Sequence, residues 1–374
     1  MVNPPSPFVN SSLKADFVVT PKPSAGIVTL FSPLAGLMLC GLLAAVSMQL
    51  ERLSWLAAHG IGALTIAIML GIAVGNLISQ RVMRGASSGV LMSKQHLLRT
   101  GIVLYGLRIT FHDISGVGIA GIGIDLLTLS STFLLCSWIG TRFFGLDRVT
   151  AMLIGTGSSI CGAAAVIAAA PVLKARAEQV AIAVATVVVF GTAATFLYPF
   201  LFEMAERVAP GLVSGHDYGL FVGSTIHEVA QVVAAGRSVS AQAANTAVIE
   251  KMVRVMLLAP FLIALSAWLS RSNQGQQKLA TDRGNVWKAI PWFAVLFIVI
   301  AGINSLFALP VLALLALGHL DTVLLAMAMA ALGLTTHRAA LRIAGVKPLL
   351  LGGLVFAWLV IGGGTINLVV RQVL

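Results

Sequence analysis

The chain has 374 residues, 58% of them hydrophobic and only 10% charged, with a mean hydropathy of +0.97. A soluble domain carries about 25% charged residues, so this composition excludes a chain that meets water over its whole surface; lipid must cover it. The formal charge of +11 fits Lys and Arg gathered in loops on one face of a membrane protein, beside anionic lipid, and not nucleic acid, because no basic patch is interleaved with aromatics.

Residues 1–26 form a polar, Pro-rich tail. It has no short apolar core followed by a small-residue cleavage site, so no cleavable signal peptide is expected. The remainder, 27–374, reads as one transmembrane transporter domain. Apolar stretches near 20 residues mark membrane helices, and eleven candidates follow in order: 29–50, 61–79, 97–112, 114–139, 149–172, 178–202, 219–236, 244–269, 289–308, 320–337 and 347–370. The expected fold is an all-α polytopic membrane protein with about 9–11 transmembrane helices, two discontinuous or re-entrant segments, and inverted repeats. Cys40, Cys136 and Cys161 lie in apolar runs and are expected as reduced thiols.

Lys and Arg set the orientation. Arg81, Arg84, Lys94 and Arg99 precede the third candidate, Arg142 and Arg148 the fifth, and Arg271, Lys278, Arg283 and Lys288 the ninth; Arg338, Arg342 and Lys347 follow the tenth. These loops share a face with the N-terminus, which is expected to be cytoplasmic, and the C-terminus is then periplasmic.

Candidates five and seven are unusual. The fifth reads Gly155-Thr-Gly-Ser-Ser-Ile-Cys-Gly162, and the seventh reads Gly223-Ser-Thr-Ile-His-Glu-Val-Ala-Gln231. Each places Gly and hydroxyl residues at a depth where lipid should be. Broken helices there are tolerated where the backbone lines a cavity. Ser158-Ser159-Ile160-Cys161 aligns with Ser224-Thr225-Ile226-His227. Paired interrupted segments in two halves point to a transporter with inverted repeats. If both segments crossed the membrane they would run the same way, whereas inverted repeats need them opposed. Re-entrant hairpins entering from opposite faces remove the conflict, and sequence alone leaves both topologies open.

At these motifs the chain resembles the bacterial YeiH-type family, whose suggested role is sulfate export. The likeness runs from about Gly60 to the C-terminus, through LYGLRITFHDI (104–114), GTGSSICGAAAVIAAAPVLKA (155–175), VATVVVFGTAATFLYP (184–199), GSTIHEVAQVVAAG (223–236), VIEKMVRVMLLAPFL (248–262), PWFAVLFIV (291–299) and AMAMAALGLTTH (326–337). The resemblance implies an inner-membrane protein that exports sulfate or a related sulfur oxyanion, and kinship with bile-acid/sodium symporter-like folds. It carries no agreed binding residues, so the site rests on the residues themselves.

Charges inside a span cost about 2.5–3.5 kcal/mol each on insertion scales and usually face a cavity or a partner. The candidate substrate-binding residues are Gly157, Ser158, Ser159, Cys161, Ser224, Thr225, His227 and Gln231. The reading places half-helix starts near Ser158/Ser159 and Ser224/Thr225, with free N–H groups for an oxyanion. Thr225 and Glu228 also have capping-box spacing, a purely local alternative. Glu228, Glu250, Lys251, Arg254, Arg108 and Asp125 form the candidate coupling or charge network. Within it Glu250 and Arg254 have i,i+4 spacing for an intrahelical pair, and Arg108 and Asp125 are expected as partners.

His227-Glu228-x-x-Gln231 misses the zinc-protease pattern by its second His, and no Gly-Lys-Ser/Thr nucleotide loop occurs. No enzyme activity, cofactor or metal is therefore expected. The expected function is secondary transport of sulfate, sulfite or a sulfonate, with the bilayer, the anion and a coupling proton or sodium as partners. The same scaffold also suits a carboxylate or bicarbonate carrier, an anion channel, or a membrane partner without flux. Bundles of this type often form homodimers, and no motif specifies an interface.

Overall fold

A computed structural model of the chain describes residues 28–53, 56, 62–272, 292–307, 310–336, 342 and 344–373. The tail at 1–26 and the basic residues Lys278, Arg283, Lys288 and Arg338 lie outside them. Every regular element among the described residues is a helix. They are α1 (Val28–Leu50), α2 (Ala63–Leu77), α3 (Gln80–Met92), α4 (Leu98–Tyr105), α5 (Phe111–Arg142), α6 (Arg148–Ser159), α7 (Ala163–Ala169), α8 (Ala177–Val208), α9 (Gly215–Thr225), α10 (Val229–Arg237), α11 (Ala241–Met256), α12 (Leu258–Ser272), α13 (Trp292–Leu306), α14 (Val311–Thr335) and α15 (Val346–Val373).

Six helices or joined helices are long and apolar enough to cross a bilayer: α1, α5, α8, α11 with α12, α14 and α15. Two shorter apolar helices, α2 and α13, pack among them. One more crossing is built from α3 and α4, continuous through a π turn at Ser93–Leu97. The chain is thus a polytopic membrane protein with nine crossings among the described residues.

The third candidate, 97–112, is corrected here. It is only the latter half of the α3–α4 crossing. The first half, QRVMRGASSGVLM, is too polar for a hydropathy reading. It is admitted because it packs on α1 at van der Waals limits: a Cβ on Gly36 would lie 2.2 Å from the Ala86 carbonyl oxygen, and one on Gly89 2.1 Å from that of Pro33. α2 and α14 meet in the same way, Gly71 against Ala330 and Gly333 against Ile68. Small residues at such crossings let backbones approach, which is how membrane helices associate without a hydrophobic drive.

Candidates five and seven do not cross. Asp147, just before α6, accepts a 2.7 Å hydrogen bond from Gln179 Nε2 at the start of α8, so both ends of α6–α7 lie at one face. At the other segment, a Cβ on Gly215 would lie 3.1 Å from Ser240 Oγ, and Tyr218 Oη donates to the Ala235 carbonyl at 3.2 Å. α8, with 32 residues and a length of about 48 Å, separates the two bases. The segments are therefore re-entrant hairpins from opposite faces, hairpin 1 (α6–α7) and hairpin 2 (α9–α10). Their longer arms, 12 and 11 residues, reach about 17 Å, half of a bilayer core of about 30 Å.

Candidate functional site

The hairpin tips meet inside the bundle. Hairpin 1 turns at Ile160-Cys161-Gly162, where Gly162 takes φ 67°, a conformation that disfavours any side chain. A Cβ there would lie 2.7 Å from Cγ of Glu228, at the tip of hairpin 2. The aligned tetrapeptides hold register to the residue. Ser158-Ser159 end α6 and Ser224-Thr225 end α9, and Ile160 and Ile226 occupy the same C-cap position.

That register corrects the expected half-helix starts. Ser158, Ser159, Ser224 and Thr225 lie at helix C-termini, where carbonyls and the negative end of the dipole are presented. Three of the hydroxyls are turned back on their own helices: Ser159 Oγ donates to the Thr156 carbonyl at 3.3 Å, Ser224 Oγ to that of Leu220 at 2.7 Å, and Thr225 Oγ1 to that of Phe221. Ser224 Oγ also accepts 3.0 Å from Asn367 Nδ2 on α15. Gly157 packs on Val166 and Val187. Ser and Thr end these helices because a buried hydroxyl satisfies itself on the preceding turn.

α11 supplies the cations that such ends attract. Arg254 donates from Nε to the Ser159 carbonyl at 2.6 Å and from Nη2 to that of Ser158 at 3.3 Å. Lys251 donates from Nζ to the Ile226 carbonyl. One helix thus clamps both hairpin tips, one cation each, and both cations are fully buried. The expected Glu250–Arg254 pair does not form; the guanidinium is drawn to the carbonyl row instead. Glu250 turns to α5, where a Cβ on Gly121 would meet its Oε2 at 2.4 Å.

The start of α10 is the one half-helix N-terminus of adequate length at the junction. Its N-cap is Glu228, whose backbone N–H donates to Gln231 Oε1 at 3.1 Å. The capping box is therefore Glu228 with Gln231, and the expected Thr225–Glu228 box is replaced. Gln231 lies against α8, where Gly191 leaves room for its amide; a Cβ there would be 2.3 Å from Oε1.

Several buried polar atoms at the junction have no hydrogen-bond partner among the described residues. The donors are Arg254 Nη1 and Gln231 Nε2, and His227 Nδ1 is a donor or acceptor by tautomer; the acceptors are all four carboxylate oxygens of Asp125 and Glu250. The hydroxyls of Thr128 and Thr132, one and two turns along α5 from Asp125, are likewise buried and unpartnered. An unsatisfied buried polar atom costs about 1–3 kcal/mol, so such a cluster marks a place where something else binds. It presents donors and acceptors at once, chemistry for an anion and for a proton or small cation. No group of three or more His, Cys, Asp and Glu suited to a metal occurs among the described residues.

Arg108 lies elsewhere. It pairs with Asp321 at 2.9 Å, and Arg237 reaches the same carboxylate at 3.3 Å. The expected Arg108–Asp125 pair is therefore absent. Asp321 and Arg237 were not singled out from sequence: Asp321 is the second residue of the tenth candidate and Arg237 lies one past the seventh, so both read as span ends. The available signal was a lone acid in the apolar run from Val311, which is one continuous helix. Thr128, Thr132 and Asn367 gave no signal beyond ordinary membrane-helix polarity.

The profile of a family described as Conserved hypothetical protein 698 matches residues 35–352. A UPF0324 membrane protein of Pseudomonas aeruginosa is 57% identical over 329 residues, 88% of this chain and 92% of that protein. One from Yersinia pestis is 53% identical, covering 93% and 95%. The UPF0324 inner membrane protein YeiH of Escherichia coli K12 is 52% identical, covering 92% and 97%. No solved structure matches.

Proposed function

The chain belongs to the YeiH-type UPF0324 family of multi-pass inner-membrane proteins, and on that premise we propose that it is a secondary transporter of a small oxyanion. The observation that carries the reading is the meeting of two opposed re-entrant hairpins around buried, unpartnered donors and carboxylates. Paired broken segments that place a polar site at the bilayer midplane are the architecture of alternating-access carriers.

Arg254 Nη1, Gln231 Nε2 and the His227 ring supply donors for the anion. Arg254 gives only part of its fork to the helix ends, and a guanidinium fork suits oxyanion geometry. Asp125 and Glu250 take a coupling proton or sodium, and the hydroxyls of Thr128 and Thr132 extend the oxygen set along α5. No step of this cycle is enzymatic. The resemblance to a family with a suggested role in sulfate export favours a sulfur oxyanion. The face carrying Arg84, Arg142, Arg148, Lys174, Arg176 and Lys347 is assigned to the cytoplasm by its basic excess. Val28 then begins on that side and Val373 ends in the periplasm.

Purified protein in liposomes is expected to exchange labelled sulfate or sulfite, with saturation and counterflow, driven by a pH or sodium gradient. Absence of oxyanion flux under every gradient would falsify the substrate. A second reading, a cation carrier, is favoured by the four unpartnered carboxylate oxygens. Sodium flux without any oxyanion in the same vesicles selects it.

A further inference from the structure

The face assigned to the periplasm holds a second basic site, apart from the hairpin junction. A cavity of about 820 Å³ opens there, lined by Arg52, Tyr105, Arg108, Arg237, Asn245 and His319 among others. α10 connects the two places. Its N-cap, Glu228, is at the junction and its last residue, Arg237, is in the cavity wall, about 13 Å away along the helix.

The cavity is built and not merely lined. The Tyr105 ring is flanked by both guanidiniums, with centroid distances of 5.6 Å to Arg108 and 5.3 Å to Arg237. Cation–π contact of this kind holds two like charges side by side. The Tyr105 hydroxyl donates 3.0 Å to Asn245 Oδ1, which fixes the ring on α11. Arg108 is anchored from Nε to Asp321 and from Nη2 to the Gly318 carbonyl at 2.7 Å and Thr322 Oγ1 at 3.1 Å. Arg237 gives Asp321 a 3.3 Å hydrogen bond from Nη2.

The charges do not balance. One carboxylate, Asp321, fully buried beneath the cavity, serves two arginines. Arg52 adds a third cation at the rim, and Glu51 is the other acid in the wall. Each guanidinium has five N–H donors, so most of those on Arg237 remain for a ligand. Their side chains are 37% and 21% exposed for Arg108 and Arg237, which leaves the heads accessible from the cavity.

We infer that Arg108 and Arg237 form an oxyanion-binding vestibule, a second site for a soluble sulfate-like or phosphate-like group. Binding requires only these residues. Its use as the port through which cargo leaves the junction rests on the transport reading. Because Arg237 belongs to hairpin 2 and Asp321 to α14, a bound oxyanion competes with Asp321 for the guanidiniums that tie the hairpin to that helix.

The test is arginine labelling with phenylglyoxal on the full chain in neutral detergent, read by peptide mass spectrometry. Sodium sulfate, against sodium chloride at matched ionic strength, is expected to slow modification of Arg108 and Arg237 saturably. The exposed Arg207 is expected to react equally in both salts. Arg237→Gln should weaken the protection of Arg108 by about tenfold, the scale of one lost charge-assisted contact. Protection should persist in His227→Ala, which alters the junction alone. Equal reactivity in sulfate and chloride, or equal protection at Arg207, overturns the site. Protection by phosphatidylglycerol and not by sulfate assigns the group to lipid and overturns a soluble ligand. Protection with no flux in liposomes sinks the transport reading and leaves the vestibule standing.

Discussion

Hairpins 1 and 2 share a register but not a chemistry. In both, a helix ends on two hydroxyl residues and an isoleucine, and a cation from α11 sits on the exposed carbonyls. Past that point they diverge. Hairpin 1 turns through Cys161-Gly162, with no charge, and resumes as a seven-residue helix. Hairpin 2 turns through His227-Glu228 and resumes with a capping box onto Gln231. The shared part is what any broken helix needs in a medium without water, namely partners for its last carbonyls. The part that differs is free to serve function. Hairpin 1 reads as the neutral wall of the junction and hairpin 2 as its polar one.

The comparison breaks most severely at Arg254. It holds two carbonyls of hairpin 1 and, with Lys251, is a countercharge to Asp125 and Glu250. Arg254→Met is expected to cost about 3–5 kcal/mol, the range for removing one partner of buried charges, read as thermal unfolding in detergent. Lys251→Met, at hairpin 2, should cost less, about 1–3 kcal/mol, since one carbonyl is orphaned. Equal losses at the two positions would remove the distinction between the tips.

Gly162→Ala combines a positive φ with a 2.7 Å approach to Glu228, and an expected loss of about 1–2 kcal/mol comes from the backbone alone. Glu228→Ala removes the obstacle, so the double variant should show a coupling of about 0.5–3 kcal/mol. Simple additivity would mean that the tips do not touch in solution.

The smallest effects are at the bases. Asp147 caps α6, and Ser214 caps α9 by accepting from the Asp217 N–H at 3.1 Å. Burial pushes the Asp147 carboxyl up, but hydrogen bonds from Thr150 and Gln179 outweigh it and hold the group below the ordinary aspartate range. A depressed carboxylate contributes stability above its unfolded pKa, near 3.9, and loses it as pH falls through the folded value. Asp147→Ala and Ser214→Ala should each cost about 0.5–2 kcal/mol at neutral pH. For Asp147 alone the deficit against wild type should shrink below about pH 4; a pH-independent deficit at Asp147 counts against its role as an ionised cap.

Much of this is legible in the sequence. Eight of the eleven candidates lie on crossing helices, although the tenth begins nine residues into α14, and candidates five and seven lie on the hairpins. The SSIC/STIH alignment located both tips, because a chain break in lipid demands small and hydroxyl residues and these stand out in an apolar sequence. The helix Gln80–Met92 was not legible from hydropathy, since it is held on α1 by the close approach of Ala86 and Gly89 while Arg84, Ser87 and Ser88 stay exposed.

By itself, then, the sequence determined that the protein lives in lipid, that two of its segments are interrupted, and that Asp125, His227, Glu228, Glu250, Lys251 and Arg254 are buried there. These follow from hydrocarbon's intolerance of charge and of unpaired backbone, a local property of each segment. Only the tertiary structure decided that the segments re-enter instead of crossing, that the hydroxyl residues end helices instead of starting them, and that Arg108 answers Asp321 and not Asp125. Those are choices among partners of equal chemical fitness, and partners are chosen by position in space.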